Sequence, residues 1–171
     1  MVDAHYFFSS CKSGWMWERL RSLALTSPVL RDPKMEPKRT AEIDGLLYKA
    51  GLTALRMPEL QTMVLWNGGW DNACAFIYQT NGRGPRITWL SNWPSVISSP
   101  VEKVWRQVAL QNSPVFMRID YKPVYEPVWN HGDAIYHLKL PVQVVDPRSL
   151  WQIRREFNAF HESLPVLSDG S

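Results

Sequence analysis

The sequence predicts an α/β fold, a mostly antiparallel sheet flanked by helices in an α-β-α sandwich of the sensor-domain kind, on three observations. Apolar residues recur at helical spacing around residues 43–50, 101–108 and 150–164. Two strand-like runs flank an Asn-Gly turn between 73 and 91, and an alternating run follows at 136–144. Helices thus precede and follow the strands, the pattern of a layered sandwich. A chain of 171 residues, 45% hydrophobic and 20% charged, fits one such domain without disulfide staples.

Taken in order, residues 15–25 read as a short helix with Met16, Leu20, Leu23 and Ala24 on one face. Residues 26–39 hold Pro28, Pro33 and Pro37, too many for a helix or central strand, and read as a linker. Thr40 is a suitable cap for a helix in which Ile43, Leu46, Leu47 and Ala50 turn inward. Pro58 reads as the first residue of another helix, with Leu60, Met63 and Val64 inward, ending at Gly68-Gly69. The runs 73–80 and 86–91 are joined by Asn81-Gly82-Arg83-Gly84-Pro85, and Asn-Gly tolerates positive φ, so they form a hairpin.

Ser99-Pro100-Val101-Glu102 is a capping box with proline in the first turn. It opens a helix whose stripe is Val101, Val104, Trp105 and Val108. Tyr136, Leu138, Leu140, Val142 and Val144 alternate as a strand with one buried face, and Pro141 marks it as an edge or a bulge. Asp146-Pro147 opens a last helix carrying Leu150, Ile153, Phe157, Phe160 and Leu164 along one side. The resulting division is an N-terminal arm with a short helix and a proline-rich linker (1–39), one α/β domain (40–165) and a frayed tail (166–171).

Composition narrows the function. A net charge of +3, with basic residues interrupted by acids and prolines across 31–39, argues against a nucleic-acid surface. No apolar run approaches a membrane span, and the N-terminus lacks a secretory signal pattern. Cys11 and Cys74 are too few and too far apart for a disulfide framework, so a reduced, cytoplasmic setting is expected.

Catalytic and metal patterns are weak. Cys74 lies in Cys74-Ala75-Phe76-Ile77-Tyr78, where a small buried hydrophobe suits the alternation, although His131, Asp133 and His137 follow it as formal partners. His131-Gly132-Asp133 with His137 offers metal ligands or a plain turn. Glu42 and Asp44 lie near a helix start, where carboxylates favour the helix dipole. Gly82-Arg83-Gly84 lacks the lysine and hydroxyl of a phosphate loop. No enzyme activity, cofactor or metal is expected.

The strongest feature is tryptophan. Six of the nine (Trp66, Trp70, Trp89, Trp93, Trp105 and Trp129) crowd the middle of the chain. Such large flat side chains line either a heavy core or a pocket for a greasy ligand. The pocket reading places Tyr78, Trp89, Trp93, Trp105, Phe116 and Trp129 around a chamber between sheet and helices.

Gly69-Trp70-Asp71 before Ala75-Phe76-Ile77-Tyr78, then Leu90-Ser91-Asn92-Trp93-Pro94, then Ser113-Pro114-Val115, then Trp129, follow one another in a distinctive order. Over residues 42–130 this order resembles the autoinducer-binding domain of LuxR-type quorum-sensing regulators. The resemblance implies a bacterial transcription-regulation protein that binds an acyl-homoserine-lactone-like small molecule. It puts Ser113 in the site, where the family has an aspartate that accepts the ligand amide. Two hydrogen-bonding aromatics of the family are replaced by Ile97 and Val101 at the ungapped positions. An unpaired buried amide costs about 1–3 kcal/mol, which weighs against an ordinary lactone. Only a short tail follows residue 164, so the family's helix-turn-helix is not expected here.

The resulting expectation is a non-enzymatic regulatory domain. It takes a small lipophilic ligand, or it antagonises a full-length regulator by heterodimerisation. The alternative is a protein-interaction module with a Trp-rich structural core and no ligand, acting through a partner protein or a homodimer. Phe7, Phe8, Trp15 and Trp17 are its candidate anchors.

Overall fold

The computed structural model describes residues 3–12, 14–36 and 38–142. Its centre is a five-stranded mixed sheet in the order β1-β2-β3-β4-β5, made of Ser22–Thr26, Thr62–Gly69, Asn72–Asn81, Gly84–Ser91 and Arg118–Pro123. The central ladders, β2 with β3 and β3 with β4, are antiparallel. The outer ladders, β1 with β2 and β4 with β5, are parallel. Parallel neighbours need a crossover. Helix α2 (Lys38–Ala54) supplies the first and α3 (Ser99–Asn112) the second. The fold is therefore α/β as the sequence predicts, antiparallel in the middle and parallel at both margins.

Period-two burial divides the core. Met63, Leu65, Cys74, Phe76, Tyr78, Ile87 and Trp89 point to the face covered by α2, α3 and the short helix α1 (Ala4–Ser10). Val64, Trp66, Ala73, Ala75 and Ile77 point to the face covered by α4 (His131–Leu138) and by Val124 and Val128. Because β2 and β3 are covered on both faces, they read as continuous apolar runs. Where α2 crosses α3, a Cβ on Gly51 would stand 2.6 Å from Val104 Cγ1, so the glycine sets the approach of the two helices. Gly68 does the same for β2 and α4, since its Cβ would meet Ala134 Cβ at 2.3 Å.

The helix read over 15–25 is not formed. Its second half is the edge strand β1, and the loop before it is tied to the turn after α2 by Trp17 N donating to Arg56 O at 3.0 Å. The arm 1–39 instead carries α1 and β1 of the domain itself, with Ala4, Phe8, Leu25 and Leu30 in the main core. The helix expected after Pro58 is the strand β2. Tyr136 and Leu138, expected in a strand, lie in α4, which ends on Lys139 in the left-handed region.

Helix α2 begins at Lys38, so Thr40 lies inside its first turn. Helix α3 takes Ser98, one residue earlier than expected, as its N-cap and makes no side-chain cap bond. Glu102 is occupied instead with Arg106, at 2.9 Å from its Nε. In the hairpin the left-handed residue is Gly84 (φ 97°) rather than Asn81. The expected strand residue Val144 and the last helix after Asp146-Pro147 lie outside the described residues. Among the described residues no helix is long and apolar enough to cross a membrane.

Candidate functional site

The seven residues expected to share a chamber are distributed over four places. Tyr78, Trp89 and Trp105 are buried beneath α2 and α3. Their rings interlock through Phe76: Phe76 and Trp105 centroids are 4.9 Å apart, Tyr78 and Trp105 5.0 Å, and Phe76 and Trp89 6.5 Å. Trp105 Nε1 donates to Leu47 O at 3.0 Å, fastening α3 to α2. These rings therefore pack against one another through Phe76.

Trp93 is buried in the loop that leaves β4. The motif Ser91-Asn92-Trp93-Pro94 is built from hydrogen bonds. Trp89 Nε1 donates to Ser91 Oγ at 3.0 Å, and that hydroxyl donates to Trp93 O at 2.6 Å. The Asn92 side chain accepts from Ala73 N and donates to Asp71 O, both at 3.0 Å, prolonging the β3–β4 pairing. Every side-chain polar group in this motif apart from the buried Trp93 Nε1 thus has a structural employment.

Ser113 closes α3, where its N–H meets Ala109 O and its Oγ accepts from Val115 N. It sits near Gly84 and Val115, at the opposite end of the sheet from Trp93. Phe116 beside it is 88% exposed. Trp129 is on the α4 side, edge-to-face with Trp70 at 5.4 Å. One cleft, lined by both Trp89 and Trp93, holds about 100 Å³. Sites for drug-sized ligands run to roughly 300–1,000 Å³. A larger groove of about 440 Å³ runs between α1 and α2 beside Tyr6, Val29, Gly45 and Lys49, touching none of the seven.

The chemical candidates are absorbed by the fold. Cys74 lies under α2 and α3, and burial pushes its thiol well above the ordinary range. His131 is on the other side of the sheet, donating from Nδ1 to Gly68 O at 2.9 Å with its ring 5.1 Å from Trp66. Asp133 secures the start of α4: its carboxylate accepts from Asn130 Nδ2 at 3.0 Å and from Trp129 N at 3.3 Å. Asn130 caps the same helix by accepting from Asp133 N. The nucleophile and its formal partners are therefore separated by the sheet.

What sequence reasoning missed is a rim. The carboxyl ends of β2, β4 and β5 lie at one edge of the sheet, where parallel strands commonly present their functional loops. Trp70 at the β2–β3 turn is 64% exposed, and Tyr125 just past β5 is 84% exposed. Val96, past β4, is exposed as well. The turn is held rigidly: Asp71 adopts φ 50° and its N–H donates to Val128 O at 2.8 Å. A large aromatic between Gly69 and Asp71, at a tight turn where small polar residues are usual, is the signal that was available.

Comparison with known proteins places the chain at this point. A family described as "Family of unknown function (DUF6546)" matches residues 1–146. The chain belongs to that family. The match takes in α1 and β1 as well as the rest of the sheet, so the DUF6546 unit includes the segment that composition had set apart as an arm. No curated protein and no solved structure matches the chain at a stringent threshold.

Proposed function

We propose that this domain is a non-enzymatic protein-interaction module whose tryptophan-rich core supports a rigid aromatic rim for a partner protein. The observation that carries the reading is the rim itself. Trp70 stands largely in solvent against Trp129, and the exposed Tyr125 follows β5 at the same end of the sheet. Tryptophan and tyrosine dominate binding hot spots, and their few rotamers make them cheap to order. The residues that hold this edge, Asp71, Asn92 and Val128, fix its backbone in advance of binding. Phe7, Phe8 and Trp17, the anchors first expected, pack against the core instead, and Trp15 remains half-exposed. The two cysteines are free thiols, which suits a cytoplasmic protein.

The rival reading is a lipophilic-ligand sensor resembling the autoinducer-binding domains. It draws less support, because the rings assigned to the chamber occupy one another and the adjoining cleft is small. A photo-crosslinking side chain in place of Tyr125 tests the module directly. A specific adduct should form in cells and vanish in the Trp70→Ala variant, whose melting temperature stays close to that of the parent. Adducts indifferent to Trp70→Ala, or a saturable thermal shift with acyl-lactones, overturn the proposal in favour of the sensor.

A further inference from the structure

Helix α2 has two apolar sides, and the fold uses one. Ile43, Leu46, Leu47, Ala50 and Ala54 face the main core. On the opposite side Ala41, Gly45, Tyr48 and Leu52 follow one another at spacings of four, three and four residues, and all are exposed. Tyr48 and Leu52 show 41% and 43% of their surface. A helix face turned to water normally carries charge at such positions, and this spacing is that of a helix-pairing seam. Gly45 adds a second oddity. A mid-helix glycine weakens a helix, and Gly51 is explained by Val104. Gly45 has nothing within 4 Å of where its Cβ would lie, so no contact among the described residues accounts for it.

We infer that this face pairs with the same face of a second copy, as two antiparallel α2 helices about a two-fold axis. The seam has its small residues in the first half and its large ones in the second. Reversal therefore lays Leu52 of one copy beside Ala41 of the other, and Tyr48 beside Gly45, one large and one small residue in each layer. The flanking charges agree with this arrangement. In an antiparallel pair each flank meets its own counterpart. The flank carrying Glu42 and Lys49 thus brings each Glu42 to the other copy's Lys49, twice by symmetry. Parallel pairing would instead oppose glycine to glycine and tyrosine to tyrosine, leaving one layer empty and one crowded. The groove of about 440 Å³ along this flank, between α1 and α2, gives the incoming side chains room. The seam is independent of the aromatic rim, which lies at the sheet edge.

Sedimentation velocity on the full chain across a concentration series tests the inference. The sedimentation coefficient should climb from the monomer toward the dimer value. Glu42→Lys and Lys49→Glu should each weaken association about tenfold, because symmetry turns both pairs repulsive at once. Combining Glu42→Lys with Lys49→Glu should restore it, which a folding defect would not do. Gly45→Leu should leave a folded monomer. A chain that stays monomeric throughout, or a double variant no better than the singles, overturns the inference. Trp70→Ala should leave the dimer intact, so loss of rim crosslinking with dimerisation preserved counts against neither, and each reading fails by its own measurement.

Discussion

Replacing each of the two helical glycines of α2 by alanine separates backbone preference from packing. Alanine is favoured over glycine by about 1 kcal/mol in a helix interior, so both substitutions start with the same gain. At Gly45 the new methyl meets nothing within 4 Å, and the gain stands. At Gly51 it would lie 2.6 Å from Val104 Cγ1, 3.1 Å from Val104 Cγ2 and 3.2 Å from Trp105 Nε1. Carbon pairs settle at about 3.5–4.0 Å, so roughly an ångström must be found. Rotating Val104 exchanges one methyl for the other, and valine has one strongly preferred rotamer in a helix. Relief must come from separating α2 and α3, which stretches the 3.0 Å bond from Trp105 to Leu47.

Overpacking of this kind costs about 1–3 kcal/mol, leaving a net loss of up to about 2 kcal/mol at Gly51 after the helical gain. For a chain of this length each kcal/mol moves the melting temperature by about 2–4 °C. Calorimetry on dilute protein, where the chain is monomeric, should therefore place Gly45→Ala above the parent by about 2–4 °C. Gly51→Ala should fall below it by as much as about 8 °C. Equal stabilisation by both would show that α2 and α3 do not approach at Gly51, and the reasoning from close contact would fail.

Three further outcomes can be measured. Trp66 Nε1 is buried without a hydrogen-bond partner whereas Trp105 Nε1 has one, so in urea titrations Trp66→Phe should cost about 1–2 kcal/mol less than Trp105→Phe; equal losses would mean that the Trp66 donor is satisfied. Burial pushes the Tyr78 phenol up to about 12, partly offset by the Asn112 amide, whose Nδ2 spends its bond on Val108 O. The folded value exceeds the unfolded value near 10, so this contribution is complete below about pH 10 and disappears as pH rises toward 12; Tyr78→Phe should flatten that loss, and unchanged alkaline sensitivity would refute it. A thiol reagent should modify the half-buried Cys11 in the native protein and reach Cys74 after unfolding, while two thiols reacting together natively would contradict the burial of β3.

Local signals carried much of the architecture. The inward stripe of α2, the β3–β4 hairpin and the apolar stripe of α3 each depend on neighbours within one element, and each was legible. β1 and β2 were not. Met63, Val64, Leu65 and Trp66 are buried on alternate faces of a sheet covered on both sides, so the alternation that marks a strand is erased. Leu23 and Leu25 lie in a five-residue edge strand, where Met16 and Leu20 beyond its start supplied a false helical period. The alternation at 136–142 misled in the other direction, because α4 is short and packs on β2 and β3 with Ala134, Ile135 and Leu138. The aromatic content of the site was visible in the chain, but its partition was not. Whether an indole meets another ring, as Trp105 does, or faces water, as Trp70 does, depends on which face of which strand it leaves.

The outer strand β5 has a consequence for how the protein behaves in a crowded cell. An open strand edge invites backbone recruitment and, eventually, fibrils. Among the described residues no strand pairs with the far side of β5, which is six residues long, bears the cations Arg118 and Lys122 with Asp120 between them on one face, and ends in Pro123, which has no amide hydrogen to offer. A chain arriving along it would have to strip water from those cations before gaining more than a few bonds. The domain can thus display large aromatics at one rim while this margin of its sheet stays short, charged and stopped.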